Sequence, residues 1–365
     1  MRRRWWVHLD YGLLFLLALL CAAGLTVLWS ASHGPGGHVA GYAARQVRWM
    51  GVGVGVMALS LGLDYRHLEA RAWWVYAAVL LLLGAVLAGG HTSMGAQRWL
   101  AVGPFRFQPS EPAKIATAIV TARILARNRT PPPYGFRALL FPLCAALVPA
   151  ALVLVQPDLG TAVLILAVAG FQVLFQGVRR RVVVGCTGAV LAGIPLGWSF
   201  LKDYQRQRIL TFLDPERDPL GAGYHIIQSK IAVGSGQFLG KGFLKGTQAH
   251  LQFLPERHTD FVFSVLAEEW GFVGAAGVLL LYALLVLWGL DIAAKARDEF
   301  GRLLAVGLTS ILFLHVVINV GMVLGLLPVV GVPLPLFSYG GSSVVSTFLI
   351  AGLLLNVRMR RFRRL

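Results

Sequence analysis

Residues 1–31 read MRRRWWVHLDYGLLFLLALLCAAGLTVLWSA: three arginines, then a run from Leu9 to Ala31 whose one charged side chain is Asp10. A helix of about 20 mostly apolar residues crosses the hydrocarbon core of a bilayer. No convincing small-residue cleavage site follows the basic start, so the segment is expected to persist as a helix. With 9–31 as the first, spans are predicted near 47–63, 73–90, 112–127, 138–155, 158–177, 182–200, 265–290, 303–327 and 342–357. The one near 112–127 is the least apolar, because it starts with Glu111 and Lys114. The runs are continuous and do not alternate over ten residues, which selects helices over a barrel. The expected fold is an all-α integral membrane protein of about ten transmembrane helices in a single polytopic domain, 1–365.

Composition agrees with this. The 365 residues are 57% hydrophobic and 13% charged, where soluble domains run near half and about a quarter. A net charge of +17 would suggest nucleic acid in a soluble chain. Here the cations cluster at the ends of the apolar runs. With the N-terminus inside, 20 Lys and Arg fall on the inner segments, 5 on the short outer ones and 8 in 201–264. Cytoplasmic loops are the basic ones, so both termini are expected inside and 201–264 is a large extracytoplasmic loop between helices 7 and 8. Cys21, Cys144 and Cys186 lie in apolar runs with no disulfide or CxxC pattern and read as small packing residues.

Three outer connections are rich in Gly, Pro and polar residues: 91–111, 201–264 and 328–343. Charged groups near membrane depth are costly and are functional candidates for that reason. The first group is Arg98-Trp99 with Gln108-Pro109-Ser110-Glu111-Pro112 and Lys114. Ser110 suits an N-cap, and Glu111 and Lys114, three apart, share a helix face. Either a capped helix with an internal ion pair or a cation near an anionic ligand explains them, since Lys is a point-charge phosphate binder. In Gln156-Pro157-Asp158-Leu159-Gly160-Thr161 an N-cap role accounts for Asp158 but not for Gln156.

Segment 201–264 is too long for an idle connection. Its spaced aromatics and aliphatics predict order, with a short interfacial helix over Tyr224–Val233. Gly240-Lys241-Gly242 fails as a phosphate loop, lacking Gly at 235 and Ser or Thr at 242, and reads as a tight turn. The segment ends Leu254-Pro255-Glu256-Arg257-His258-Thr259-Asp260-Phe261, with Glu268 and Glu269 close behind. Carboxylates with an imidazole are metal-type donors; spacing alone favours a solvated juxtamembrane charge cluster. Asp260 lies where loop meets apolar span, so desolvation should raise its pKa and suit it to general-base work. Leu327 to Ser343 carries three prolines and a Gly pair inside an apolar stretch. Irregular backbone at membrane depth is tolerated only when buried in protein or lining a cavity, which predicts an outward-opening cavity. Asn319, in the preceding helix, is expected to bond across helices.

In these four motifs, and in their order along nearly the whole chain, the sequence resembles the RodA/FtsW (SEDS) family of bacterial cell-wall polymerases. The Leu-Pro-Glu-x-His-Thr-Asp-Phe form of 254–261 and the compact length look most like its elongation branch, RodA. The resemblance implies ten helices and peptidoglycan glycosyltransferase activity on lipid II during cell elongation. It implies a class B penicillin-binding protein (a transpeptidase) as partner, in the bacterial cytoplasmic membrane. The family's catalytic Asp falls on Asp260, and its cavity-lining charges on Glu111, Lys114 and Asp158. Around them Arg98, Gln108, Glu256, His258, Arg208 and Ser342 are the expected substrate-binding residues. An α-linked disaccharide on a polyprenyl diphosphate becomes a β-1,4 glycan, so the anomeric centre inverts. That needs a base on the acceptor side, Asp260, and stabilisation of the leaving diphosphate. A divalent cation (Mg or Mn), Lys114, or loop arginines such as Arg206 and Arg208 would supply the latter. No organic cofactor and no nucleic acid is expected; membrane lipids are. The competing readings are a lipid II flippase, which would make no glycan in detergent, and a scaffold for the transpeptidase, which would tolerate Asp260→Asn.

Overall fold

The computed structural model describes residues 9–33, 41–93, 96–103, 105–200, 203–217, 222–250, 253–254 and 256–361. Arg2–Arg4, Pro255 and the arginines beyond 361 lie outside the described residues. The chain is mostly helical. In order the elements are α1 (Tyr11–Ala31), α2 (Tyr42–Gly62), α3 (Tyr65–Gly89), β1 (His91–Ser93), β2 (Ala96–Val102), β3 (Phe105–Phe107), α4 (Ser110–Ala126), α5 (Phe136–Val155), α6 (Leu159–Gln176) and α7 (Arg180–Phe200). Then follow α8 (Asp203–Leu213), a 3-10 turn (Pro215–Arg217), α9 (Ala222–Ser235), α10 (Thr247–His250), α11 (Val262–Ala294), α12 (Glu299–Val323) and α13 (Gly341–Arg360).

Aspartates start four of the long helices. Asp10, Asp64, Asp158 and Asp298 accept from the first-turn amides of Leu13, Arg66, Thr161 and Gly301, satisfying donors that a helix start leaves open. Among the described residues seven helices are long and apolar enough to cross a membrane: α1, α3, α5, α6, α11, α12 and α13. The expected count of ten also took in α2, α4 and α7. The first carries Arg45, Gln46 and Arg48 in its opening turns, the second is 17 residues long, and the third opens on Arg180-Arg181.

The position of α4 explains its polarity. It packs among α3, α5, α6, α12 and α13 and is buried along most of its length, so it meets protein where the outer helices meet lipid. By contrast α1, α3, α5 and α11 leave most of their apolar surface uncovered, as lipid-facing helices do. Cys144 is exposed on α5 and so is not the packing residue expected of it.

Two other expectations change. The all-α reading has an exception, since β1, β2 and β3 form a small antiparallel sheet in the connection 91–107. A turn at Gly103 joins β2 to β3. And α11 is broken: Gly271 (φ 63°, ψ −161°) interrupts it one third of the way along. The predicted helix over Tyr224–Val233 is present as α9.

Candidate active site

The break in α11 exposes backbone groups, and the glycine-rich segment after α9 satisfies them. Lys241 and Gly242 donate their N–H to the carbonyls of Glu268 and Glu269, while Phe272 and Val273 donate to Gln237 and Phe238. A Cβ on Gly240 would stand 2.1 Å from the Glu269 carbonyl, so no other residue fits that approach. Gly240-Lys241-Gly242 is thus a docking strand for a broken helix. Glu268 and Glu269 are consumed here as well. Glu268 pairs with Lys241 at 2.7 Å and accepts from Thr247 and Gln248; Glu269 accepts from Ser30. Both carboxylates are buried in this structural role and leave the expected acidic cluster.

The remaining part of that cluster is held as one rigid turn. Thr259 donates its hydroxyl to the Glu256 carboxylate at 2.9 Å. Three successive carbonyls are each capped by a neighbouring element: His258 by the Tyr339 amide, Thr259 by the Ser338 hydroxyl, Asp260 by the Asn319 side-chain amide. Asn319 donates a second bond to Val332, so it ties helix to loop as expected of it. Arg257 reaches the end of α1, donating to Ala31 and His33. The His258 ring stacks on Tyr42, centres 4.1 Å apart. Gln46, buried in α2, donates to Ser338 and accepts from Gly340.

All this fixes the backbone of Asp260 and leaves its carboxylate open. That group is partly exposed and makes no hydrogen bond or ion pair with any described residue. Burial pushes its pKa up to about 6, and the Glu256 charge adds to this; Arg208 and Arg98 oppose it, and Asp158 works against them. Four of the expected residues, Glu256, Arg208, Arg98 and Asp158, thus lie within electrostatic reach of Asp260. Burial lowers the pKa of His258.

Arg98, on β2, grips the second motif. It donates to the carbonyls of Pro157 and Gln156 and faces Asp158 at 3.9 Å. Asp158 caps α6 and accepts from the Thr161 hydroxyl. Gln156, unexplained by capping, is a buried tie that donates to Leu83 of α3. Arg208 on α8 donates to Val329. Gln108 donates its N–H to the Ser342 hydroxyl at 3.2 Å, joining the start of α4 to that of α13.

Glu111 and Lys114 pair at 2.7 Å as their spacing requires, but both are buried. The cation's other partner is His315 on α12, at 2.8 Å. Neither group opens to a ligand in this conformation. Ser110 is not the N-cap; Pro109 takes that position and the Ser110 hydroxyl is buried without a partner among the described residues. Sequence reasoning missed His315, Gln46, Tyr42 and Ser338. Each meets a partner far away in the sequence, so no spacing pointed to it. Among the described residues no three acidic, cysteine or imidazole side chains converge as a metal site.

Apolar helices wrapped around a polar, proline-interrupted centre, with one open carboxylate at its rim, define a multi-pass membrane protein built for chemistry. The chain belongs to the FtsW/RodA/SpoVE family, described as cell cycle protein, whose model matches residues 11–362. It is 48% identical over 357 residues to the peptidoglycan glycosyltransferase MrdB of Escherichia coli K12, covering 97% of this chain and 95% of that one. It is similar to a chain of a solved peptidoglycan synthase complex, described as coordinating polymerization and crosslinking. There the TM-score is 0.84 and the identity 36%, over 98% of this chain and 99% of that one. The rod shape determining protein RodA of Thermus thermophilus gives a TM-score of 0.73 at 33% identity, over the same shares.

Proposed function

We propose that this protein is a peptidoglycan glycosyltransferase that polymerises lipid II into β-1,4 glycan strands during cell elongation, with Asp260 as general base. The observation that carries the assignment of the base is the Asp260 carboxylate, left open among the described residues while the carbonyls of His258, Thr259 and Asp260 are tied down. The acceptor 4-hydroxyl gives its proton to Asp260 as its oxygen attacks the donor's anomeric carbon. A C–O bond forms there, and the bond from the same carbon to the diphosphate breaks. The prenyl diphosphate departs with the electron pair, and the centre inverts.

Arg208 and Arg98, which oppose the upward shift of Asp260, are the cations best placed to meet the departing diphosphate; Lys114 is engaged elsewhere. A divalent cation, Mg or Mn, would arrive on the diphosphate, since such ions bind through substrate phosphates with one or two carboxylates. An apolar cavity of about 170 Å³ between α2, α3, α4 and α13, lined by Val75, Val79, Ile115, Ile119, Leu349 and Leu353 among others, suits a length of prenyl chain. The chain crosses the bacterial cytoplasmic membrane ten times with both termini inside. Segment 201–264 and Asp260 lie on the outer face, where a class B penicillin-binding protein cross-links the product.

The test is purified protein with labelled lipid II in detergent, with and without divalent cation and transpeptidase. Glycan chains are expected. A chain that moves lipid II across vesicles but yields no glycan under any of these conditions is a flippase, and the proposal fails.

A further inference from the structure

Lys114 is buried, so its part in the reaction needs a route other than contact with substrate. Its ammonium carries three donors and no lone pair. The 2.8 Å contact with His315 therefore makes Nε2 of the imidazole an acceptor. The proton of the neutral ring is then on Nδ1, which faces the Pro333 carbonyl at 3.0 Å and donates to it. One helical turn further along α12, Asn319 donates to Val332 at 2.8 Å and to Asp260 at 2.9 Å. Two consecutive loop carbonyls are thus held from one face of one helix, and the second of those side chains also holds the reacting residue. The loop runs close by the carboxylate: a Cβ on Gly331 would stand 3.3 Å from Asp260 Oδ2.

We infer that His315 is a positioning residue for the polymerisation proposed above, on which this inference rests. It passes the restraint of the Glu111–Lys114 pair to the 331–333 turn and so sets the space beside Asp260. Lys114 acts on the reaction through it. A misplacement of about 1 Å at a reacting centre costs about 100-fold in rate.

Initial rates of glycan formation by the purified full-length chain test this in His315→Leu and His315→Gln. Gln offers a carbonyl to Lys114 and an amide N–H to Pro333; Leu offers neither. For His315→Leu a fall in kcat of about 100-fold is expected, with KM for lipid II within about twofold. His315→Gln should recover most of that loss. A wild-type kcat in His315→Leu, a raised KM at unchanged kcat, or equal impairment of both variants overturns the inference. Should His315→Leu fail to fold, as judged by melting in detergent, His315→Asn replaces it. Its shorter amide reaches one partner only, so kcat should fall below that of His315→Gln, and a wild-type kcat there overturns the inference equally. Absence of glycan from the wild-type chain would instead refute the polymerase reading.

Discussion

Asp260 keeps its proton up to about pH 6 because burial and the nearby Glu256 both disfavour its charge. A general base works deprotonated, so kcat/KM should fall as pH drops through about 6 and level off above it. A pH–rate profile with its acidic limb near 4 would remove the raised carboxylate from the mechanism. The same shift bears on stability. Relative to an ordinary carboxyl at 3.8, the charge destabilises the folded state progressively from about pH 4 to 6 and fully above, by about 1–3 kcal/mol after allowing for partial exposure. Asp260→Asn should therefore melt higher than wild type at pH 8, with the gap closing below pH 4. Equal melting points at pH 8 would contradict this. The sequence placed this carboxylate at the seam of loop and span, where desolvation raises a pKa, but the family resemblance and not the spacing marked it as the candidate base. His315 was not legible: a lone imidazole in an apolar helix carries no spacing signal, and its partner is 201 residues away.

At the scale of elements, the broken α11 and its docking strand are the feature least visible in sequence. Val262 to Ala294 carries charge only at Glu268, Glu269 and Asp291, and Gly271 within it looks like any helical glycine until its φ is known. The segment 236–242 read as a turn for the same reason, since the groups it pairs with are exposed only by the break. Lys241→Met would strand the buried Glu268 carboxylate, lowering stability by about 2 kcal/mol or more. Lys241→Met with Glu268→Gln should melt above the single variant; if it does not, the ion pair is not what holds the strand. The helix α4 shows the opposite case. Its polarity made it the weakest predicted span, yet burial among five helices is why that polarity is tolerated.

On the scale of the molecule, the proposed orientation rests on charge counting, because the membrane is what distinguishes the two faces. In a chain with its three native cysteines replaced, a cysteine at the exposed Lys245 should react with an impermeant maleimide in intact cells, and one at the exposed Arg181 only after lysis. The reverse pattern would invert the proposed topology. The bundle as a whole holds the Asp260 carboxylate, unpaired among the described residues, beside a proline-rich turn. Glycan yield from lipid II by purified Asp260→Asn, beside wild type of matched folding, is the most direct measurement of what that carboxylate does. Polymer is expected from wild type and none from the variant; chains of normal length and amount from Asp260→Asn would contradict its role as base.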